Sequence, residues 1–138
     1  MVTDARAAVD MLEKLEIIDG RRVYVTGYSL GATVGLYAAC LDERIGGVVS
    51  MCGFTPMRLD TASKGTEEIR GYSHLHGLSP RLGFFIGNES RILYDFHEIL
   101  ACIAPCPILV VAPTRDRYAT FEDHFLLCIT VPPLRILP

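Results

Sequence analysis

The stretch Arg22-Val23-Tyr24-Val25-Thr26-Gly27-Tyr28-Ser29-Leu30-Gly31 decides the reading of this chain, together with the run Ala32 to Leu41 that follows it. Residues 22 to 26 are rich in β-formers. Residues 32 to 41 are small and apolar, suited to a buried helix. Between them Gly27-Tyr28-Ser29-Leu30-Gly31 forms a G-x-S-x-G pattern. Strand, tight turn with a serine at its tip, then helix is the context in which this pattern marks a nucleophile elbow. The serine must sit on a strained turn that lifts its hydroxyl out of the sheet. Glycine on either side removes a Cβ that would clash where helix and strand crowd together. The plainer alternative is a glycine-rich turn whose serine only caps the helix. The flanking strand and helix favour the nucleophile.

Outward from the elbow, residues 3 to 17 read as an amphipathic helix. Ala5, Ala8, Val9, Leu12 and Leu15 fall on one face, and Asp10, Glu13 and Lys14 on the other. Asp19-Gly20 breaks it. Gly35 and the alanines let the helix after Ser29 lie close to a sheet. Asp42-Glu43-Arg44 closes that helix, and Ile45 to Met51 reads as a second buried strand. From residue 53 to 91 regular periodicity dissolves into a long loop or lid-like insertion, of a length that is usually functional or mobile. Tyr94 to Cys102 regains helical spacing, with Phe96, Ile99 and Leu100 inward. Pro105 and Pro107 frame a third buried strand, Ile108 to Ala112. Pro113-Thr114-Arg115-Asp116 turns out of it, and Thr120 to Leu127 reads as the start of another helix. The tail from Ile129 is apolar and broken by prolines.

Alternating helices and unbroken apolar strands predict an α/β fold, a parallel sheet with helices on both faces. Active groups of such sheets sit beyond the carboxyl ends of the strands. Ser29 follows the first strand and Asp116 the third, so both are expected on one rim.

Composition narrows the function. The 138 residues make one domain, half of them apolar, with a net charge of −3 and no run of like charges. This argues against a nucleic-acid or polyanion partner. No apolar run reaches transmembrane length, and Met1 to Arg6 lacks the basic start and apolar run of a signal peptide. The five cysteines are Cys40, Cys52, Cys102, Cys106 and Cys128. An odd count without a secretion signal fits reduced thiols and a cytoplasmic location. Cys40, Cys52 and Cys128 read as core residues. Cys102 and Cys106 resemble half a metal site with no second half. His74 and His76 form an H-x-H without a partner cluster, so no metal is expected. His97, between Asp95 and Glu98, reads as a helix-surface residue.

From Arg22 to about Tyr118 the chain resembles the second half of an α/β-hydrolase catalytic domain. The nearest flavour is that of dienelactone hydrolases, acetyl-xylan-type esterases and prolyl-oligopeptidase-like domains. The resemblance rests on Val23 to Ala32 and on Pro107 to Asp116, an apolar strand that ends in an aspartate. It implies Ser29 as nucleophile, the Leu30 N–H as an oxyanion-hole donor, Gly27 and Gly31 as elbow glycines, and Asp116 as the acid that orients a histidine. The family order is serine, acid, histidine, and only His124 follows Asp116, eight residues on. Two turns of helix do not easily swing His124 back to meet both Asp116 and Ser29, so the base stays unassigned. The family's front strands and its second oxyanion donor have no counterpart here.

The expectation is therefore a single incomplete α/β-hydrolase-like domain over residues 1–138. It would act on a small-molecule ester without metal or organic cofactor, weakly or not at all. It would have no membrane partner, and self-association is expected through the edge at Val23, Tyr24 and Val25. The alternatives are a catalytically dead module that binds a small molecule or a protein, and a self-contained small α/β protein with a coincidental elbow. Beyond Asp123 the hydrolase-like pattern gives way, which suggests an altered or truncated reading frame.

Overall fold

The computed structural model describes residues 1–20, 23–59, 68–71, 73, 79–112, 114–115 and 135–137. Among the described residues four strands form one sheet in the order β1 (Val23–Tyr28), β2 (Ile45–Met51), β3 (Ile108–Val111) and β4 (Arg135–Leu137), every neighbour parallel. β1 to β3 stand where the β-branched runs predict them. Strand β1 carries on through Gly27 and Tyr28, two residues past the expected end. β4 was not foreseen: three residues flanked by prolines are too short to show a period. The fold is α/β, with helices packed on a parallel sheet.

Register brings the strand ends flush. Tyr28 stands opposite Met51, and Met51 opposite Val111, so β1, β2 and β3 finish on one row. Ser29, Cys52 and Ala112 are the residues that step past that row. A single register shift between Val23 and Val25 sets this alignment: β2 advances from Ile45 to Val48 there, one residue more than β1.

Helix α2 (Leu30–Leu41) lies across β1 and β2. Ala32, Thr33, Gly35, Leu36, Ala38 and Ala39 are buried, as the small-residue run predicts. Gly35 is required here, since a Cβ would stand 2.8 Å from Val25 Cγ1. Helix α1 (Val2–Leu12) packs on α2 but ends five residues short of the expected boundary. Val9 is buried and Ala5 and Leu12 half-buried, whereas Ala8 and Leu15 are exposed, so the apolar face is narrower than the spacing suggested.

An ion cluster fastens α1 to the turn that follows α2. Arg44 grips the buried Asp42 carboxylate with both arms, at 2.8 and 2.6 Å. It also reaches Asp10 at 2.7 Å and Glu13 at 2.6 Å, and Arg6 adds a longer contact to Asp42 at 3.4 Å. Hydrogen bonds from Arg44 hold the Asp42 carboxyl well below the usual carboxylate range, against burial that pushes it up.

Within the segment expected to lack regular structure, the described residues form short turns. These are 3-10 turns at Met57–Leu59, Pro80–Phe85 and Glu89–Arg91, and one helical turn, α3 (Glu68–Arg70). One side chain anchors this segment to the core. Asp95, 2% exposed, accepts N–H bonds from Met57 and Arg58 at 2.9 Å each and from Phe96 at 2.7 Å. Glu98 returns a bond to the Asp95 N–H at 2.7 Å, which completes a capping box at the start of helix α4 (Phe96–Ile103). Phe96 then stacks on Phe54 with centroids 4.6 Å apart and meets Tyr37 of α2 edge-on. Phe96, Ile99, Leu100 and Ile103 face the core, in agreement with the helical spacing.

Candidate active site

Ser29 is the first residue beyond β1 and the cap residue of α2. Its backbone sits at φ 51°, ψ −124°, a conformation that residues with a Cβ rarely adopt. Such a residue costs on the order of 1–3 kcal/mol and persists only where its surroundings over-determine it. The surroundings here are specific. The Ser29 N–H donates to Met51 O at 2.9 Å, and the Ser29 carbonyl accepts from Ala32 and Thr33 N–H at 2.9 and 3.1 Å. The side chain makes no cap bond to its own helix. Ser29 is exposed, and among the described residues nothing bonds its hydroxyl.

The two glycines of the motif do different work. A Cβ on Gly27 would stand 2.5 Å from the Ala32 nitrogen and closer still to the Gly31 carbonyl group. Only hydrogen fits where β1 passes under the helix start. Gly31 has open space around it, so the expected clash on that side does not exist. Leu30 opens α2, and the first N–H groups of a helix have no intrahelical acceptor. Ala32 and Thr33 turn their N–H groups back to Ser29 O, and among the described residues the N–H groups of Leu30 and Gly31 have no backbone acceptor.

The end of β2 repeats the unusual backbone. Cys52, expected in the core, is half-buried on the rim with φ 51°, and its N–H donates to Val111 O at 2.9 Å. Gly53 follows, and its carbonyl accepts from the Thr33 hydroxyl of α2. A Cβ on Gly53 would stand 2.6 Å from Ala32 Cβ and closer still to the buried Ser50 Oγ. Sequence reasoning missed Thr33, Cys52 and Gly53. Nothing local marks a contact spanning twenty residues.

Asp116, His74, His76, His124 and Cys128 lie outside the described residues. His97 is on α4, half-buried, with Nε2 3.0 Å from Glu98 Oε2 and with Nδ1 buried and unbonded. It serves the capping-box carboxylate. Burial pushes the Glu98 carboxyl up, but the Asp95 N–H, His97 and Arg58 outweigh it and hold the group below its ordinary value. Among the described residues no group of three metal-ligating side chains occurs, and no helix is long and apolar enough to cross a membrane. Cys40, Cys102 and Cys106 are free thiols. Burial, with the adjoining Cys102 thiol, pushes Cys40 up.

Comparison with known proteins gives this geometry a family. The carbohydrate esterase MZ0003, from an unknown prokaryotic organism, is 27% identical over 121 residues, 86% of this chain and 28% of that protein. A glucuronoyl esterase structure from Solibacter usitatus superposes with a TM-score of 0.75 at 24% identity, over 96% of this chain and 34% of that one. The structure of a promiscuous CE15 esterase from a marine bacterial metagenome gives 0.78 at 25% identity, over 93% and 33%. The chain thus spans about a third of the length of these relatives. The family described as glucuronyl esterase, fungi, matches residues 5–130. Across nearly its whole length, elbow included, the chain belongs to the glucuronyl esterase family, within the α/β-hydrolases.

Proposed function

We propose that this chain carries the nucleophile of a carboxylic-ester hydrolase and that Ser29 is that nucleophile. The observation that carries the reading is the state of Ser29. It is strained and exposed, and its side chain makes no bond to the helix it begins. A serine that merely capped α2 would use its side chain on the N–H groups behind it. Ser29 Oγ would attack the ester carbonyl to give an acyl-enzyme and release the alcohol, and water would then release the acid. The oxygen that becomes negative would lie against the Leu30 N–H at the start of α2, where the positive end of the helix dipole adds to the hydrogen bond.

By the family order Asp116 would orient the base, and the base itself is unassigned. Because a serine without a positioned base retains only part of its rate enhancement, we expect weak turnover from these 138 residues alone. The family points to esters of sugar acids as the substrate class, with a small-molecule ester as the minimal probe and no cofactor.

The test is acid release from an alkyl ester of glucuronic acid and from a simple aryl ester, with Ser29→Ala as control. Slow hydrolysis that vanishes in the variant supports the reading. Equal rates in the two proteins contradict it. A folded chain that binds the sugar ester without turning it over would favour a binding module.

A further inference from the structure

The peptide unit joining Met51 to Cys52 is bonded on both sides. Its carbonyl accepts the Ser29 N–H, and its own N–H donates to Val111 O, at 2.9 Å each. This one plane therefore spans the rim from the elbow to β3. The residue on its far side, Cys52, is held at φ 51°, the same value as Ser29. Rotation of the plane would let Cys52 relax to negative φ and would break both bonds at once. Those two bonds oppose the rotation, and a third contact adds to them.

Thr33 supplies it. The Thr33 side chain is buried at 7% exposure on the first turn of α2. Its hydroxyl donates to Gly53 O, directly after Cys52, and lies 3.4 Å from Ser29 O. A hydroxyl has one proton to give, and the nearer Gly53 carbonyl takes it. The Gly53 backbone sits against Ala32 of α2 and Ser50 Oγ of β2 with no room for a Cβ, so the turn is packed closely between helix and strand.

We propose that Thr33 is a positioning residue that locks the Cys52–Gly53 turn, so that the strained backbones of Ser29 and Cys52 are held or released as one unit. Its consequence for reactivity rests on the reading of Ser29 as nucleophile. The coupling of the two backbones does not.

The experiment uses Thr33→Val, which keeps the shape and removes the donor, and Thr33→Ser, which keeps the donor. Amide exchange is read residue by residue. In Thr33→Val the Ser29 and Cys52 amides lose protection together, about tenfold or more, while the Val48 amide, bonded to Pro107 O, keeps its own. Thr33→Ser behaves as the wild type. The rate of Ser29 labelling by a fluorophosphonate falls about tenfold in Thr33→Val and is restored in Thr33→Ser. Should Thr33→Val fail to fold, native-state exchange of the wild type decides the matter: Ser29 and Cys52 share one opening free energy. The proposal is overturned if those two amides open independently. It is overturned equally if Thr33→Val leaves them protected, or if the loss reaches Val48 to the same degree. A wild type that does not label sinks the nucleophile reading, and the exchange result still decides the coupling.

Discussion

Ser29 donates its N–H to the Met51 carbonyl at 2.9 Å, so the tip of the elbow is fastened to the neighbouring strand before its own helix begins. That bond and the two to the Ser29 carbonyl hold φ at 51°. Glycine adopts this backbone freely, and alanine is as strained as serine. Ser29→Gly is therefore expected to be more stable than Ser29→Ala by about 1 kcal/mol, with both unreactive. Denaturant unfolding of the pair checks this, and an alanine variant as stable as the glycine variant would show that Ser29 is not strained.

Gly27 and Gly31 respond in opposite ways. Gly27→Ala drives a methyl group into the Gly31–Ala32 backbone and is expected to cost about 3 kcal/mol or more. Gly31→Ala enters open space on the first turn of α2 and is expected to be neutral or stabilising by up to about 1 kcal/mol. Thermal melts of the two variants give the comparison, and equal losses would mean that the elbow does not pack as described.

Asp42 gives the chain an acid-sensitive joint. Its folded carboxyl is held below the ordinary value of 3.8, chiefly by hydrogen bonds from Arg44. A depressed folded value means that the stabilisation is complete above the ordinary value and is lost as pH falls through the folded one. Asp42→Asn is expected to lower the melting midpoint at pH 7 by roughly 5–10 °C. The two melting curves converge only in strongly acid solution, well below the ordinary carboxylate value of 3.8. Convergence between pH 5 and 6 would contradict the assignment.

Among the described strands β1 pairs with β2 alone, and its Tyr24 and Tyr28 are 64% and 68% exposed. An open parallel edge with exposed aromatic residues invites pairing with another chain. Light scattering is expected to show concentration-dependent association that Thr26→Lys reduces, since charge on an edge strand opposes pairing. A wild type that stays monomeric at every concentration would remove the edge from the account.

What was legible in the sequence was whatever had a period or a signature of its own. The β-branched runs marked β1, β2 and β3, the small-residue run marked α2, and the G-x-S-x-G marked the strained turn at Ser29. The capping box of Asp95 and Glu98 had a readable signature as well, an Asp followed three residues later by Glu at a helix start. Its further bonds to Met57 and Arg58 come from across the fold and had none. Thr33, Cys52 and Gly53 acquire their roles from contacts across the sheet, and β4 offers three residues after a proline pair. The open space at Gly31 shows the converse, a motif position read as a packing constraint that packing does not impose.

The central claim is that Ser29 is a reactive nucleophile, and the most direct measurement is the intact mass of the chain after exposure to a fluorophosphonate, with peptide mapping of any adduct. The account predicts one adduct on Ser29 in the wild type, formed slowly, and none in Ser29→Ala. A folded wild type that stays unlabelled, or an adduct that survives in Ser29→Ala, would contradict it.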